Sequence, residues 1–130
     1  MREKEEYLVS IRPEIPGLGK NGSYFNSVEE FQNACLRPII KFQNDIIIKT
    51  FQKEKNLKTV LSRGNNSRDQ TLGIISHYIK MNKAISYLYV GIIYGLMTLR
   101  ESEFYLQNHK ELNKRIVQMI SERINSFIWS

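Results

Sequence analysis

Apolar residues recur at three- and four-residue intervals through most of this chain, the period of one helix face rather than the alternation of a strand. The pattern is longest near the end. There Leu112, Ile116, Met119, Ile120, Ile124 and Phe127 keep step for about four turns while Lys110, Lys114 and Gln118 face away. The spacing predicts a helix from His109 to about Phe127, with a helical ion pair between Glu111 and Arg115. A second long helix is predicted from Val28 to about Glu54, with Phe31, Leu36, Ile40, Ile47 and Phe51 on one stripe and Cys35, Ile39, Phe42 and Ile46 beside it. A short helix is expected over Arg2 to Ile11, another over Leu99 to Gln107. A third long one should start after Ser67, run through Leu72, Ile75 and Ile79, and end at Met97.

Helix starts are marked independently of that periodicity. Ser27, Ser67, Thr98 and Asn108 are each followed three positions on by Glu30, Gln70, Glu101 or Glu111. At that spacing the first side chain accepts from a backbone N–H of the opening turn, and the second reaches back to the cap's own N–H. Breakers fit the same plan. Pro13, Pro16, Gly17, Gly19 and the Asn21-Gly22 pair make a loop of Arg12 to Asn26, and Lys55 to Asn66 reads as a basic linker with a short turn around Val60 and Leu61. Pro38 lies inside the second helix, where its ring and missing N–H predict a kink near Ala34 to Arg37. The expected fold is therefore all-α: residues 1–130 as a single domain, with an N-terminal helix and loop over 1–26. Residues 27–130 then form the rest of an irregular bundle of about five helices around the apolar helix that ends at Met97.

Composition refines this picture. With 130 residues, 42% hydrophobic and 25% charged, the chain has the balance of an ordinary globular domain. The run from Ala84 to Met97 holds fourteen residues without a formal charge, short of the ~20 that span a bilayer, so it reads as a core helix. Gly91 and Gly95 within it form a small-xxx-small pair that permits close backbone approach of another helix, from this chain or from a second copy. Tyr87, Tyr89 and Tyr94 are amphipathic anchors suited to a packed interface, so Gly91, Gly95, Tyr87 and Tyr94 form a candidate helix-packing or dimer seam.

The net charge of +6 is concentrated in the middle of the chain. Between Arg37 and Lys83 there are ten Lys or Arg against Asp45, Glu54 and Asp69. Such a surplus can steer nucleic acid, anionic lipid or an acidic protein, and Lys58, Arg63 and Arg68 in the linker are the first candidates for phosphate contacts. A nucleic-acid role for residues 37–83 lacks the interleaved aromatics that stack bases and lacks a reader motif.

Catalytic chemistry has little to work with. Cys35 is the sole cysteine and sits between Ala34 and Leu36, the setting of an inert buried thiol. His77 and His109 are the only histidines, neither with a second ligand at metal-binding spacing, so no metal and no cofactor is expected. The serines form no nucleophile elbow, and no secretory signal opens the chain, which together with one cysteine implies a reducing cytoplasm. Gln43 alone breaks the apolar stripe of the second helix. Its amide either pairs with a backbone carbonyl or a tyrosine in the core, or faces a pocket with Arg37 and Asn44 at the rim.

Leu8 to Pro16 (LVSIRPEIP), Phe31-Gln32-Asn33, Leu36 to Ile48 (LRPIIKFQNDIII), Gly91 to Thr98 (GIIYGLMT) and Leu112 to Ile124 (LNKRIVQMISERI) cover about a third of the chain. In these strings the chain resembles a family of small uncharacterised proteins found mainly in Bacteroidota. The resemblance implies that Leu36 to Asp45 and Leu112 to Arg115 are family hallmarks, which puts forward Arg37, Gln43, Asn44, Asp45, Asn113 and Arg115 as a polar network or binding site linking two helices. Some members carry the label glyoxalase. A glyoxalase is built on paired strand-rich modules with His and Glu ligands, and this sequence offers neither. The expectation is a cytoplasmic, non-enzymatic helical module that self-associates or binds another protein. A small-molecule site near Arg37 and Gln43, or nucleic-acid binding through residues 37–83, are the alternatives.

Overall fold

The computed structural model describes residues 2–14 and 25–130, and every regular element among them is helical. Eight helices follow one another: α1 (Arg2–Ser10), α2 (residues 28–42), α3 (Asn44–Gln52), α4 (Lys55–Leu61), α5 (Arg68–Met81), α6 (Lys83–Tyr94), α7 (Leu99–Gln107) and α8 (His109–Ile128). The expected count of five is too low because two long helices are each divided and the expected linker holds a helix of its own, Lys55–Leu61. The predicted loop of Arg12 to Asn26 falls largely outside the described residues, as do Pro16, Gly17, Gly19, Asn21 and Gly22 within it.

The first division falls at Gln43, not at Pro38. Helix α2 opens as Val28–Phe31, widens into a π-helical turn over Gln32–Leu36, and continues as Arg37–Phe42. The Arg37 N–H donates to the Gln32 carbonyl, five residues back, and Leu36 and Arg37 keep helical dihedrals. The wider turn makes room for the Pro38 ring, so the helix passes the proline without the expected kink. It then breaks at Gln43 (φ −90°, ψ 10°), where α3 begins. The second division is at Asn82. Its N–H donates to the Tyr78 carbonyl to close α5, and its side-chain oxygen accepts from Ile85 N to open α6. The linker after Lys55 is itself helical as far as Leu61 and ends with Gly64 in the left-handed region at φ 83°.

The caps divide as well. Ser67 with Gln70 and Thr98 with Glu101 form complete capping boxes. Ser27 accepts from Glu30 N at 3.1 Å, while the Glu30 carboxylate accepts from Asn26 N and from the Ser27 hydroxyl, not from the cap's backbone N–H. Asn108 does not cap α8. Its Nδ2 donates to the Phe104 carbonyl at 2.9 Å and so closes α7.

The helix at the centre is α8, not the apolar α6. It contacts α2, α3, α5, α6 and α7, and buries Leu112, Ile116, Val117, Ile120, Ser121, Ile124 and Asn125 along one wide stripe. Phe31 of α2 closes one end of the core. Its ring stacks on Phe104 and meets Phe25 edge-on, each centroid pair 4.9 Å apart. At the other end Trp129 Nε1 donates to Thr71 Oγ1 (2.9 Å), Thr71 donates to Asn125 Oδ1 (2.6 Å), and Asn125 Nδ2 donates to the Arg68 carbonyl (3.0 Å). This chain of satisfied polar groups fixes the start of α5 against the end of α8. No helix among the described residues is long and apolar enough to cross a membrane.

Candidate functional site

Helix α6 buries only part of its apolar sequence. Tyr89, Val90 and Ile93 point into the core, whereas Ala84, Tyr87, Leu88, Gly91, Tyr94 and Gly95 are exposed. Those positions follow helical spacing, so they form one continuous face, and none of them carries charge. Tyr87 is 67% exposed and Leu88 48%. A Cβ built on Gly91 would meet nothing within 4 Å, and one on Gly95 would meet only the helix's own Gly91 carbonyl oxygen at 3.3 Å. Among the described residues, therefore, no neighbouring helix occupies the glycine pair. Gln43 Nε2 donates to the Ile92 carbonyl (3.0 Å), which ties the end of α2 to α6.

The polar candidates do not converge on one site. Gln43 is spent on Ile92, a partly buried amide on a backbone carbonyl. Asn113 accepts from the Tyr105 hydroxyl, tying α8 to α7. Arg115 donates from Nη1 to Gln32 Oε1 (2.8 Å) and from Nη2 to Glu111 (3.2 Å), tying α8 to the π turn. Asp45 is exposed at a shallow groove shared with Lys49 and Phe127. Arg37 and Asn44 belong elsewhere. Arg37 Nε donates to Asn33 Oδ1 (2.9 Å), and Asn44 Oδ1 accepts from Arg123 Nη1 (3.3 Å). These two arginines line a cleft of about 430 Å³ between α2 and α8. Burial, and then the charge of Arg37, push the pKa of Arg123 below its ordinary value.

The most deeply buried charges were invisible in the sequence reading. Arg12, 1% exposed, donates to both carboxylate oxygens of Glu101, 0% exposed, at 2.6 and 2.8 Å, and a third bond goes to the Leu96 carbonyl at 3.2 Å. Burial alone would lower the Arg12 pKa, yet the Glu101 hydrogen bond and charge carry it above the usual value. One carboxylate thus caps α7 through Thr98 N and anchors the segment after α1. Cys35 lies within the field of this pair. Burial first, and Glu101 next, hold its thiol well above the ordinary pKa, so little thiolate exists near neutrality. A disulfide reagent is accordingly expected to modify Cys35 in the folded protein at least about tenfold more slowly than in denaturant. Equal rates would contradict the burial.

His77 and His109 are exposed on α5 and α8, and no group of three His, Cys, Asp or Glu side chains among the described residues is placed to hold a metal ion. Compared with protein-family models, curated proteins and solved structures, the chain matches none of them.

Proposed function

We propose that this protein is a non-enzymatic helical module that self-associates through the exposed face of α6. The observation that carries the reading is a six-residue face without charge on a protein of net charge +6, with open space over Gly91 that the described residues leave uncovered. Two copies of so basic a chain repel over most of their surface, and this face is where they do so least. It is also complementary to itself. If two α6 helices cross antiparallel about a two-fold axis at Gly91, Tyr87 of each copy faces Gly95 of the other, large against small, and Leu88 packs against Tyr94. A twelve-residue helix is only about 18 Å long, so α6 alone falls short of the ~800 Å² per partner of a standard interface. The contact is accordingly a reversible dimer of micromolar strength.

The same reading puts the module in the cytoplasm, in keeping with its single cysteine. It extends to the Bacteroidota family that the chain resembles, whose glyoxalase label it disfavours: that chemistry needs grouped His and Glu ligands, and the described residues supply no such group. Gly91→Cys tests the geometry, because a residue on the axis meets its own copy. Under mild oxidation a covalent dimer is expected to form for Gly91→Cys much faster than for Lys58→Cys on exposed α4. Equal rates would mean random collision and would refute the two-fold contact.

A further inference from the structure

The cleft between α2 and α8 collects more positive charge than the described residues around it neutralise. Arg37, Lys41 and Arg123 face it against one carboxylate, Glu122, which accepts a hydrogen bond from Gln118 Nε2 at 3.1 Å. Among the described residues, neither Arg37 nor Arg123 has a carboxylate within ion-pair distance. Each is held by an asparagine instead: Asn33 accepts from Nε of Arg37, Asn44 from Nη1 of Arg123. An asparagine oxygen fixes the direction of a guanidinium without cancelling its charge, so two planar forks are oriented side by side with donors to spare. Elsewhere this protein sets a carboxylate against a buried arginine, as Arg12 with Glu101 shows. Two like charges held together at a cleft are costly unless an anion joins them.

We propose that this cleft binds a small organic phosphate, its phosphoryl group gripped by Arg37 and Arg123 with Lys41 at the rim. Phosphate oxygens match the paired N–H geometry of a guanidinium, and a monoester carries about −1.5 to −2 charges at neutral pH, close to the cleft's surplus of two. The remainder of the ligand has a place. Ile40 and Met119 supply an apolar floor, Ser126 supplies a hydroxyl, and about 430 Å³ lies within the size range of small-molecule sites. Among the described residues no aromatic side chain lines the cleft, so stacked nucleotide bases are not what it is shaped for. The site is separate from the α6 face and does not depend on self-association.

The test is a titration of ¹⁵N-labelled protein with ribose 5-phosphate, with succinate and with a short single-stranded oligonucleotide in parallel. Ribose 5-phosphate is expected to give saturable shifts confined to residues around Asn33, Arg37, Asn44 and Arg123, weakening as salt rises. Arg37→Gln and Arg123→Gln are each expected to weaken binding at least about tenfold, since each removes a charge-assisted contact, while Lys58→Gln has no effect. A dispersed spectrum of the Gln variants shows that they fold, and Arg123→Lys, which keeps the charge but loses the fork, should bind between the wild type and Arg123→Gln. The proposal is overturned if ribose 5-phosphate produces no saturable shift, if the shifts persist in Arg123→Gln, if succinate binds as tightly, or if only the oligonucleotide binds.

Discussion

Replacing Glu101 with Gln is expected to destabilise the protein by about 3–5 kcal/mol, because it strips the charge from one member of a fully buried ion pair and leaves the other in place. The substitution keeps the size of the side chain and its ability to accept from Thr98 N, so the helix cap survives. What is lost is the anion that faces the Arg12 guanidinium at 1% exposure. Arg12 Nε is already buried without a hydrogen-bond partner, so the site has no slack to absorb a further unpaired group. Thermal unfolding should show a fall in Tm on the order of 10–20 °C. The paired change Arg12→Met with Glu101→Leu should recover most of that loss, as apolar replacements of buried pairs do. A Glu101→Gln protein within about 1 kcal/mol of wild type would show that the pair is solvated in solution.

Phe31→Ala should cost a similar amount, about 3–5 kcal/mol, through loss of buried area and the cavity left behind. Phe31 is fully buried, stacks on Phe104, and is the ring on which Phe25 sits edge-on. The three ring centroids form a triangle with sides of 4.9 Å, so neither Phe25 nor Phe104 can move into the gap without disturbing its contact with the other. Phe42→Ala, at an exposed position of the same helix, is the control and should fall within about 0.5 kcal/mol in dilute solution. Equal effects at the two positions, measured by urea denaturation, would show that Phe31 is not part of the core.

The sequence made the helices legible where a local rule and the periodicity agreed. Ser67 and Thr98 carry their capping partners three residues away, and α8 keeps one apolar stripe from Leu112 to Ile124. It misled where a break leaves no composition signature. Gln43 lies in a helical pattern that runs on unbroken through Ile47, and Asn82 caps α6 without a Glu or Gln three residues on, so neither division could be read in advance. Pro38 carried the opposite error, since it predicts a kink where a π turn over Gln32 to Leu36 accommodates it. The centre of the fold was misplaced for a related reason. Apolarity marks α6, but burial depends on how many neighbours a helix meets, and α8 meets more.

Site residues divide along the same line. The face of α6 was readable because Tyr87, Gly91, Tyr94 and Gly95 share one helix, so their spacing alone brings them together. Arg37 was readable from its place in the helix, but Arg123 was not. It sits among other polar residues of α8, and only the packing of α8 on α2 sets it beside Arg37. Arg12 looked like part of a proline-bounded loop, and its partner is 89 positions away. Contacts between residues so distant in the chain leave no local pattern, so the strongest ion pair of the molecule was the least visible feature of its sequence.

The account stands or falls on whether two copies meet through α6, and sedimentation equilibrium of the unmodified protein between about 1 and 200 μM addresses that directly. The predicted result is a mass rising from the 15.3 kDa monomer toward twice that value, with Gly91→Arg remaining monomeric throughout. A wild-type protein that stays at 15.3 kDa over the whole range, or a Gly91→Arg variant that dimerises just as well, would contradict it.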